Sequence, residues 1–257
     1  MTDEGLAGAA AVLEGGDPVA ALEWAVARFA PRLALACSFG PEDLVLVDLI
    51  GRHRLPIDVF TLDTGVFFPE TYALWRQVEA TYGLQVRGVR PAQSIDEQAA
   101  EHGPALWTRA PDRCCHLRKV VPLTAALEGL AAWVTGIRRD QTPERASARV
   151  VERDRRPGLI KVNPIAHWSH DDVWAHLYLH DVPTNPLHQQ GYPSIGCAPC
   201  TSPVVAGEDP RNGRWRGSVK TECGLHVSDE PLVPVGALTS ARPEPAEPGE
   251  ATAKDFR

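Results

Sequence analysis

Residues 33–51 read LALACSFGPEDLVLVDLIG, and this stretch sets the expected architecture. LALAC, 33–37, is an apolar run of the length that a buried strand requires. SFGP supplies turn residues, with Pro41 suited to open a helix, and EDLVLVDLIG, 42–51, carries a helical pattern. A strand followed within a few residues by a helix is half of a βαβ unit, whose strands run parallel.

The same alternation continues outward. IDVFTLD, 57–63, and TGVFFP lead to the helix ETYALWRQVEATY, 70–82, ended by Gly83. A third strand, LQVRGV, 84–89, precedes SIDEQAAEHG, where Ser94 and Glu97 form a capping box. AWVTGI, 132–137, and LIKVN, 159–163, read as further buried strands, and SHDDVWAHLYLHD, 169–181, as a helix capped by Ser169. Upstream, an Ala-rich helix runs to about Glu14, and a second one, with Asp17 as N-cap and Pro18 in its first turn, to about Phe29. The pattern predicts an α/β fold, a mostly parallel sheet flanked by helices on both faces. In such sheets ligands bind beyond the carboxyl ends of the strands, where SFGP, LDTG and TGIRRD are expected to gather. After Leu225 the pattern gives way to a Pro-, Ala- and Glu-rich stretch, which predicts a disordered tail over 228–257.

The 257 residues, 44% hydrophobic and 23% charged, suit a soluble globular protein. The N-terminus opens acidic and is broken by Gly15, Gly16, Asp17 and Pro18 before any stretch long enough for a signal or a membrane span. A cytoplasmic location is therefore expected. A net charge of -7 argues against nonspecific binding to nucleic acid or an anionic membrane. It leaves room for a small anion where arginines cluster. In a reducing cytosol, six cysteines point to metal ligation or catalysis rather than disulfides.

Cys114 and Cys115 are adjacent in DRCCHLRKVVPL, and Cys197 and Cys200 form a C-x-x-C in SIGCAPCT. Two thiol pairs far apart in sequence suggest one soft-metal site that staples two segments. A single zinc favours paired ligands two to four residues apart, whereas adjacent cysteines can reach different irons of a cubane. The residues by themselves favour an iron–sulfur cluster and leave zinc, or ordinary buried or redox thiols, open. His167, His170, His176, His180 and His188 lie close in sequence, but Asp171 and Asp172 on a capped helix account for the segment without a second metal.

CCHLRKVVPL (114–123), SIGCAPCT (194–201) and RWRGSVKTECGLH (214–226), in that order, resemble the assimilatory adenylyl-sulfate (APS) reductases, the iron–sulfur branch of the sulfonucleotide reductase family. LDTGVFFPETY (62–72) and VTGIRRDQTPERA (134–146) resemble further motifs of that family. The resemblance implies an adenine nucleotide alpha-hydrolase-like, Rossmann-like fold. It also implies a 4Fe-4S cluster on Cys114, Cys115, Cys197 and Cys200, reduction of adenylyl sulfate to sulfite and AMP, and thioredoxin as reductant. Cys223, a stray thiol when read alone, matches the family's nucleophile. Arg138, Arg139, Arg145, Arg211 and Arg214 match positions near phosphate and sulfate, where the planar guanidinium suits such oxygens.

Lys119 is expected between cluster and substrate, offsetting the negative charge of a tetrathiolate cluster. SFGPED, 38–43, stands where related ATP pyrophosphatases carry a Gly-rich loop, and its single glycine disfavours ATP cleavage. Ser38, Phe39 and Gly40 are still candidates for holding phosphate at a helix start, with Asp63, Thr64 and Gly65 behind them and His226 beside Cys223. The expected organisation is N-terminal helices over 1–30, a nucleotide- and cluster-binding domain over 31–215, a mobile catalytic segment over 216–227, then the tail. The nearest enzyme alternative takes the 3'-phosphorylated substrate (PAPS), a branch that generally lacks the paired cysteines. The alternative of another class is a zinc-stapled nucleotide-binding module without reductase activity.

Overall fold

The computed structural model describes residues 1–154, 156, 158–205, 207–216, 220 and 225. Two helices lead the chain. In α1 (Asp3–Leu13) the Thr2 side chain accepts from the Gly5 N–H, and in α2 (Pro18–Phe29) Asp17 accepts from the Val19 N–H. Then come β1 (Leu33–Ala36), α3 (Pro41–His53), β2 (Asp58–Leu62), α4 (Pro69–Tyr82), β3 (Val86–Val89) and α5 (Ile95–His102), close to the expected bounds. The Ser94–Glu97 capping box and the left-handed Gly83 that ends α4 are both present.

Next lie the short helices α6 (Leu106–Arg109) and α7 (Pro111–Cys115), a π-helical turn over His116–Val120, and α8 (Val121–Leu127). Proline opens both α7 and α8. These interruptions break the apolar periodicity, which is why the sequence shows no helix there. The chain then forms β4 (Ala132–Val134), β5 (Val151–Arg153), β6 (Ile160–Val162) and α9 (His170–Leu179), with Ser169 as N-cap.

The sheet order is β3-β2-β1-β4-β6-β5, parallel throughout except where β5 pairs antiparallel with β6. The chain leaves β1 toward β2 and β3, then returns to β1's other side with β4. That reversal makes the carboxyl ends of β1 and β4 a topological switch point, the place where open α/β sheets bind ligands. β5 has no apolar run of its own; it is an edge strand covered by α1, and Arg153 pairs there with Asp3. The expected tail over 228–257 lies outside the described residues.

Alternate strand residues separate two cores, as the pleat requires. Leu33, Leu35, Val59, Val134 and Val162 share one face with Leu22, Leu44, Leu74 and Leu177 from the helices. Ala34, Phe60 and Trp133 share the other with Leu123 and Leu127 of α8. Trp133 is fully buried, and its indole N–H donates to Asp154 Oδ2 at 2.8 Å.

Two features hold the helices around the switch point, one steric and one polar. Gly136, just past β4, approaches the start of α3 so closely that a Cβ there would stand 2.5 Å from Asp43 Oδ1 and 2.8 Å from Glu42 Cβ. Between α3 and α9, buried Asp48 meets His176 Nε2 at 2.8 Å and accepts from the Tyr82 hydroxyl at 2.9 Å. Burial pushes the Asp48 carboxyl up, but these two bonds outweigh it and hold it below the usual range.

Gly136→Ala is expected to cost about 1–3 kcal/mol through overpacking, read as a fall of several degrees in Tm. A carboxylate held low stabilises the fold above its unfolded pKa and loses that contribution as pH falls below about 4. Asp48→Asn should accordingly flatten the acid limb of a Tm-versus-pH profile, and an unchanged limb would show that the pair is not an acid-sensitive contact.

Candidate active site

The loop after β1 turns on Phe39, whose φ of 61° lies in the left-handed region, which a bulky residue adopts only when its surroundings compensate. Its buried ring packs against Trp75, with centroids 5.7 Å apart. Ser38 donates to Asp43 Oδ2 from both its N–H and its hydroxyl, each at 2.6 Å, closing the loop onto the first turn of α3. Burial pushes the Asp43 carboxyl up to about 6, partly offset by the Ser38 bonds. Gly40 is the N-cap of α3 and Pro41 opens the helix, as the sequence pattern implied.

Beyond these strand ends lies a cavity of about 590 Å³, within the size range of small-molecule sites. Phe60 and Trp133 of the second core face form part of its lining, with Thr135 and Leu123. Of the residues expected to bind substrate, Ser38, Phe39, Gly40, Lys119, Arg138, Arg145, Arg211 and Arg214 all line it. A net-acidic protein thus gathers basic side chains around one cleft. Asp43, Gln141, His170 and Trp174 also line it; none of them was named from sequence as a substrate contact, and His170 was weighed only within the histidine group.

The basic residues are held in different ways. Arg138 is buried, and its guanidinium meets Glu42 Oε1 at 3.1 Å and also pairs with Asp140, so its charge is balanced within the wall. Arg145 donates to Gln141 Oε1 at 2.6 Å, the oxygen that also accepts from the Arg138 N–H at 3.0 Å. Arg214 lies over the Trp215 ring at 4.6 Å and donates to Ser194 Oγ at 3.3 Å. Gly196 makes room for it, since a Cβ there would meet Arg214 Nη2 at 2.2 Å.

Arg139 corrects the expectation. It does not line the cavity: its Nε donates to the Ala148 carbonyl at 2.7 Å and its guanidinium pairs with Glu14 at 2.7 Å. Arg138 is turned into the wall, and its neighbour emerges toward α1. Asp63 is likewise taken up internally, accepting from the Tyr72 hydroxyl at 2.8 Å, Gly65 N–H at 3.1 Å and Arg90 at 3.0 Å. Cys223 and His226 lie outside the described residues. On either side of Cys223 in sequence, the Lys220 ammonium bonds the Asp112 carboxylate, and the Leu225 carbonyl accepts from Arg156 at 3.3 Å.

A second, smaller cavity is lined by Cys114, Cys115, Cys197 and Cys200, with Trp107, Arg118 and Lys119. The vicinal pair ends α7, where the helix widens into the π-helical turn that carries Arg118 and Lys119. π-turns of this kind recur at functional sites. The Cys197 loop is tied to the loop after β2: Ala198 N–H donates to the Val66 carbonyl at 2.8 Å, and Thr64 Oγ1 lies 3.3 Å from Cys197 Sγ. Arg118 is buried and donates to the Thr64 carbonyl at 2.6 Å and Gln98 Oε1 at 3.1 Å.

Burial, then repulsion from the neighbouring thiols, pushes Cys114 up to about 11 and Cys200 to about 12. Four soft donors facing one cavity beside two cations form a donor set that fits a polynuclear cluster. Among the described residues, no group of three or more His, Cys, Asp or Glu is arranged to hold one metal ion. Lys119 and Cys197 line both cavities and so form the wall between them.

Comparison with known proteins agrees with this layout. The family model described as the phosphoadenosine phosphosulfate reductase domain matches residues 32–203. The chain is 48% identical over 206 residues to adenosine 5'-phosphosulfate reductase 1 of Bacillus subtilis (strain 168), covering 80% of this chain and 88% of that protein. It is 49% identical over 213 residues to phosphoadenosine 5'-phosphosulfate reductase of Gloeobacter violaceus, covering 82% and 88%. Among solved structures, phosphoadenylyl-sulfate (PAPS) reductase from Candida auris, a phosphate complex, superposes with a TM-score of 0.71 at 34% identity, over 79% of this chain and 98% of that one. With two thirds of its length under the family model and its cavity at the switch point, the chain belongs to the phosphoadenosine phosphosulfate reductase domain family.

Proposed function

We propose that this protein reduces adenylyl sulfate to sulfite and AMP, with Cys223 as nucleophile and thioredoxin as the external reductant, in the cytoplasm. The observation that carries the reading is the shared wall: Lys119 stands between a cavity lined by four cysteines and one lined by Arg145, Arg211 and Arg214. Relatives named adenosine 5'-phosphosulfate reductase support the choice of substrate. No helix among the described residues is long and apolar enough to cross a membrane.

In this reading the Cys223 thiolate attacks the sulfur of the substrate, the bond from sulfur to the bridging oxygen breaks, and AMP leaves with that electron pair. The enzyme is left as an S-sulfocysteine. A thioredoxin thiolate then attacks Cys223 Sγ, sulfite leaves with the S–S electron pair, and the second thioredoxin thiol resolves the mixed disulfide. Cys37 cannot serve as an internal second thiol, because it is buried and burial raises it well above the usual thiol range.

Both steps bring anions together, so the cations of the wall matter. Arg145, Arg211 and Arg214 stand where they can neutralise phosphate and sulfate oxygens, while Arg138 shapes the wall through Glu42. Cys114, Cys115, Cys197 and Cys200 would hold one 4Fe-4S cluster, which when bound supplies a net-negative centre whose field Lys119 offsets. A second reading, turnover of the 3'-phosphorylated substrate, is favoured by the relative named phosphoadenosine 5'-phosphosulfate reductase. Comparing kcat/KM for the two substrates separates them, with adenylyl sulfate expected to be preferred.

Purified protein given adenylyl sulfate without thioredoxin should gain the mass of one SO₃ group and release AMP, and Cys223→Ser should abolish the adduct. An adduct that survives in Cys223→Ser would overturn the mechanism. Lys119→Ala should keep the brown colour of the cluster yet lower kcat/KM by roughly 10- to 100-fold, the scale of losing one charge-stabilising group. Unchanged turnover and affinity would remove Lys119 from the bridging role.

A further inference from the structure

Arg139 faces away from the cavity, yet it is fixed on three sides. Its guanidinium grips Glu14 in a bidentate pair, with contacts of 2.7 and 2.8 Å. Its Nε donates to the Ala148 carbonyl at 2.7 Å, and its backbone N–H to the Ala166 carbonyl at 3.0 Å. We propose that Glu14 and Arg139 form a positioning pair that sets where Arg145 stands in the substrate cavity.

The path from the pair to Arg145 is short. The bond from Arg139 to Ala148 closes the loop over 139–148, and the Ala148 N–H returns to the Arg145 carbonyl at 2.9 Å. Within the loop Arg145 ends a 3₁₀ turn, Pro143–Arg145, and its N–H donates to the Thr142 carbonyl at 3.0 Å. Its guanidinium reaches Gln141 Oε1, the atom that also binds the Arg138 N–H. The loop is thus a frame with Arg138, Gln141 and Arg145 on its cavity side and Arg139 on the other.

Glu14 provides the outer anchor. It is the C-cap residue of α1, which is itself held by buried Leu6 and Ala10 and by the Asp3–Arg153 pair on β5. The bond from Arg139 holds the Glu14 carboxyl below the usual carboxylate range, so the pair is ionised at neutral pH. A bidentate Arg–carboxylate pair fixes orientation as well as distance, which a lone charge contact does not. Truncating Glu14 would free the guanidinium to rotate, loosen its bond to Ala148, and let Arg145 drift from the cavity wall.

The inference rests on this cavity being the adenylyl-sulfate site, and the test separates the two. Steady-state kinetics with adenylyl sulfate and thioredoxin are measured for the wild type, Glu14→Gln, Arg145→Ala and the double variant, with Tm recorded for each. Glu14→Gln is expected to raise KM about fivefold with kcat within roughly twofold, and to shift Tm little, since a half-exposed pair adds little to global stability. In the Arg145→Ala background, Glu14→Gln should raise KM no further, because a residue that acts through Arg145 has nothing left to position.

An unchanged KM in Glu14→Gln, or the same increase in both backgrounds, would overturn the proposal while leaving the functional reading intact. A merely structural role would lower Tm and kcat and would persist without Arg145. A wild type that reduces neither adenylyl sulfate nor its 3'-phosphorylated form would sink the functional reading and this inference with it.

Discussion

The close approach of the loop after β4 to the start of α3 is the contact on which the site depends. β1 and β4 are neighbouring parallel strands, so the loops leaving their carboxyl ends must share the same space. Gly136 allows it by having no side chain against Asp43 and Glu42. Asp43 is then placed to close the Ser38–Gly40 loop, and Glu42 to bind Arg138. The two carboxylates on the first turn of α3 therefore do structural work at a helix N-terminus that would otherwise be bare. The cations left facing the cavity come from other segments of the chain.

One of those segments, the π-helical turn that carries Lys119, follows directly on a pair of cysteines. Cys114 and Cys115 end one helix, Cys197 and Cys200 sit in a loop tied to the segment after β2, and all four face one cavity. Burial, with repulsion from the neighbouring thiols, raises the Cys114 and Cys200 thiols above the usual range. Such an arrangement calls for a cationic partner. Lys119 lies on the same π-helical turn as Arg118, where the widened helix carries both basic side chains past the vicinal pair. It lines the substrate cavity as well, so the wall between the two cavities carries a basic side chain.

Much of this was legible in sequence. The strand–helix alternation from Leu33 to Leu179, the caps at Asp17, Ser94 and Ser169, and the gathering of SFGP and TGIRRD at strand ends all follow from periodicity and turn chemistry. The helices between Leu106 and Leu127 were not legible, because Pro111 and Pro122 cut them into pieces too short to show a repeat. β5 was not legible either, since an edge strand with Glu152 and Arg153 carries no apolar run. Arg139 was misplaced for a different reason. Two adjacent arginines look alike in sequence, and only the direction each side chain takes out of the loop distinguishes them.

The sequence by itself determined which residue types exist and where the chain turns: a parallel α/β framework, two thiol pairs, two further cysteines at 37 and 223, and arginines in several loops. Tertiary structure alone decided which of these meet. Whether a guanidinium neutralises a carboxylate of its own chain or faces an open cavity depends on what stands within a few ångströms of it, and residues as distant in sequence as Glu14 and Arg139 pair, or Lys119 and Arg214 line one cavity, only once the chain has folded. Local preferences act over a few residues along the chain, whereas charge pairing and burial act through space.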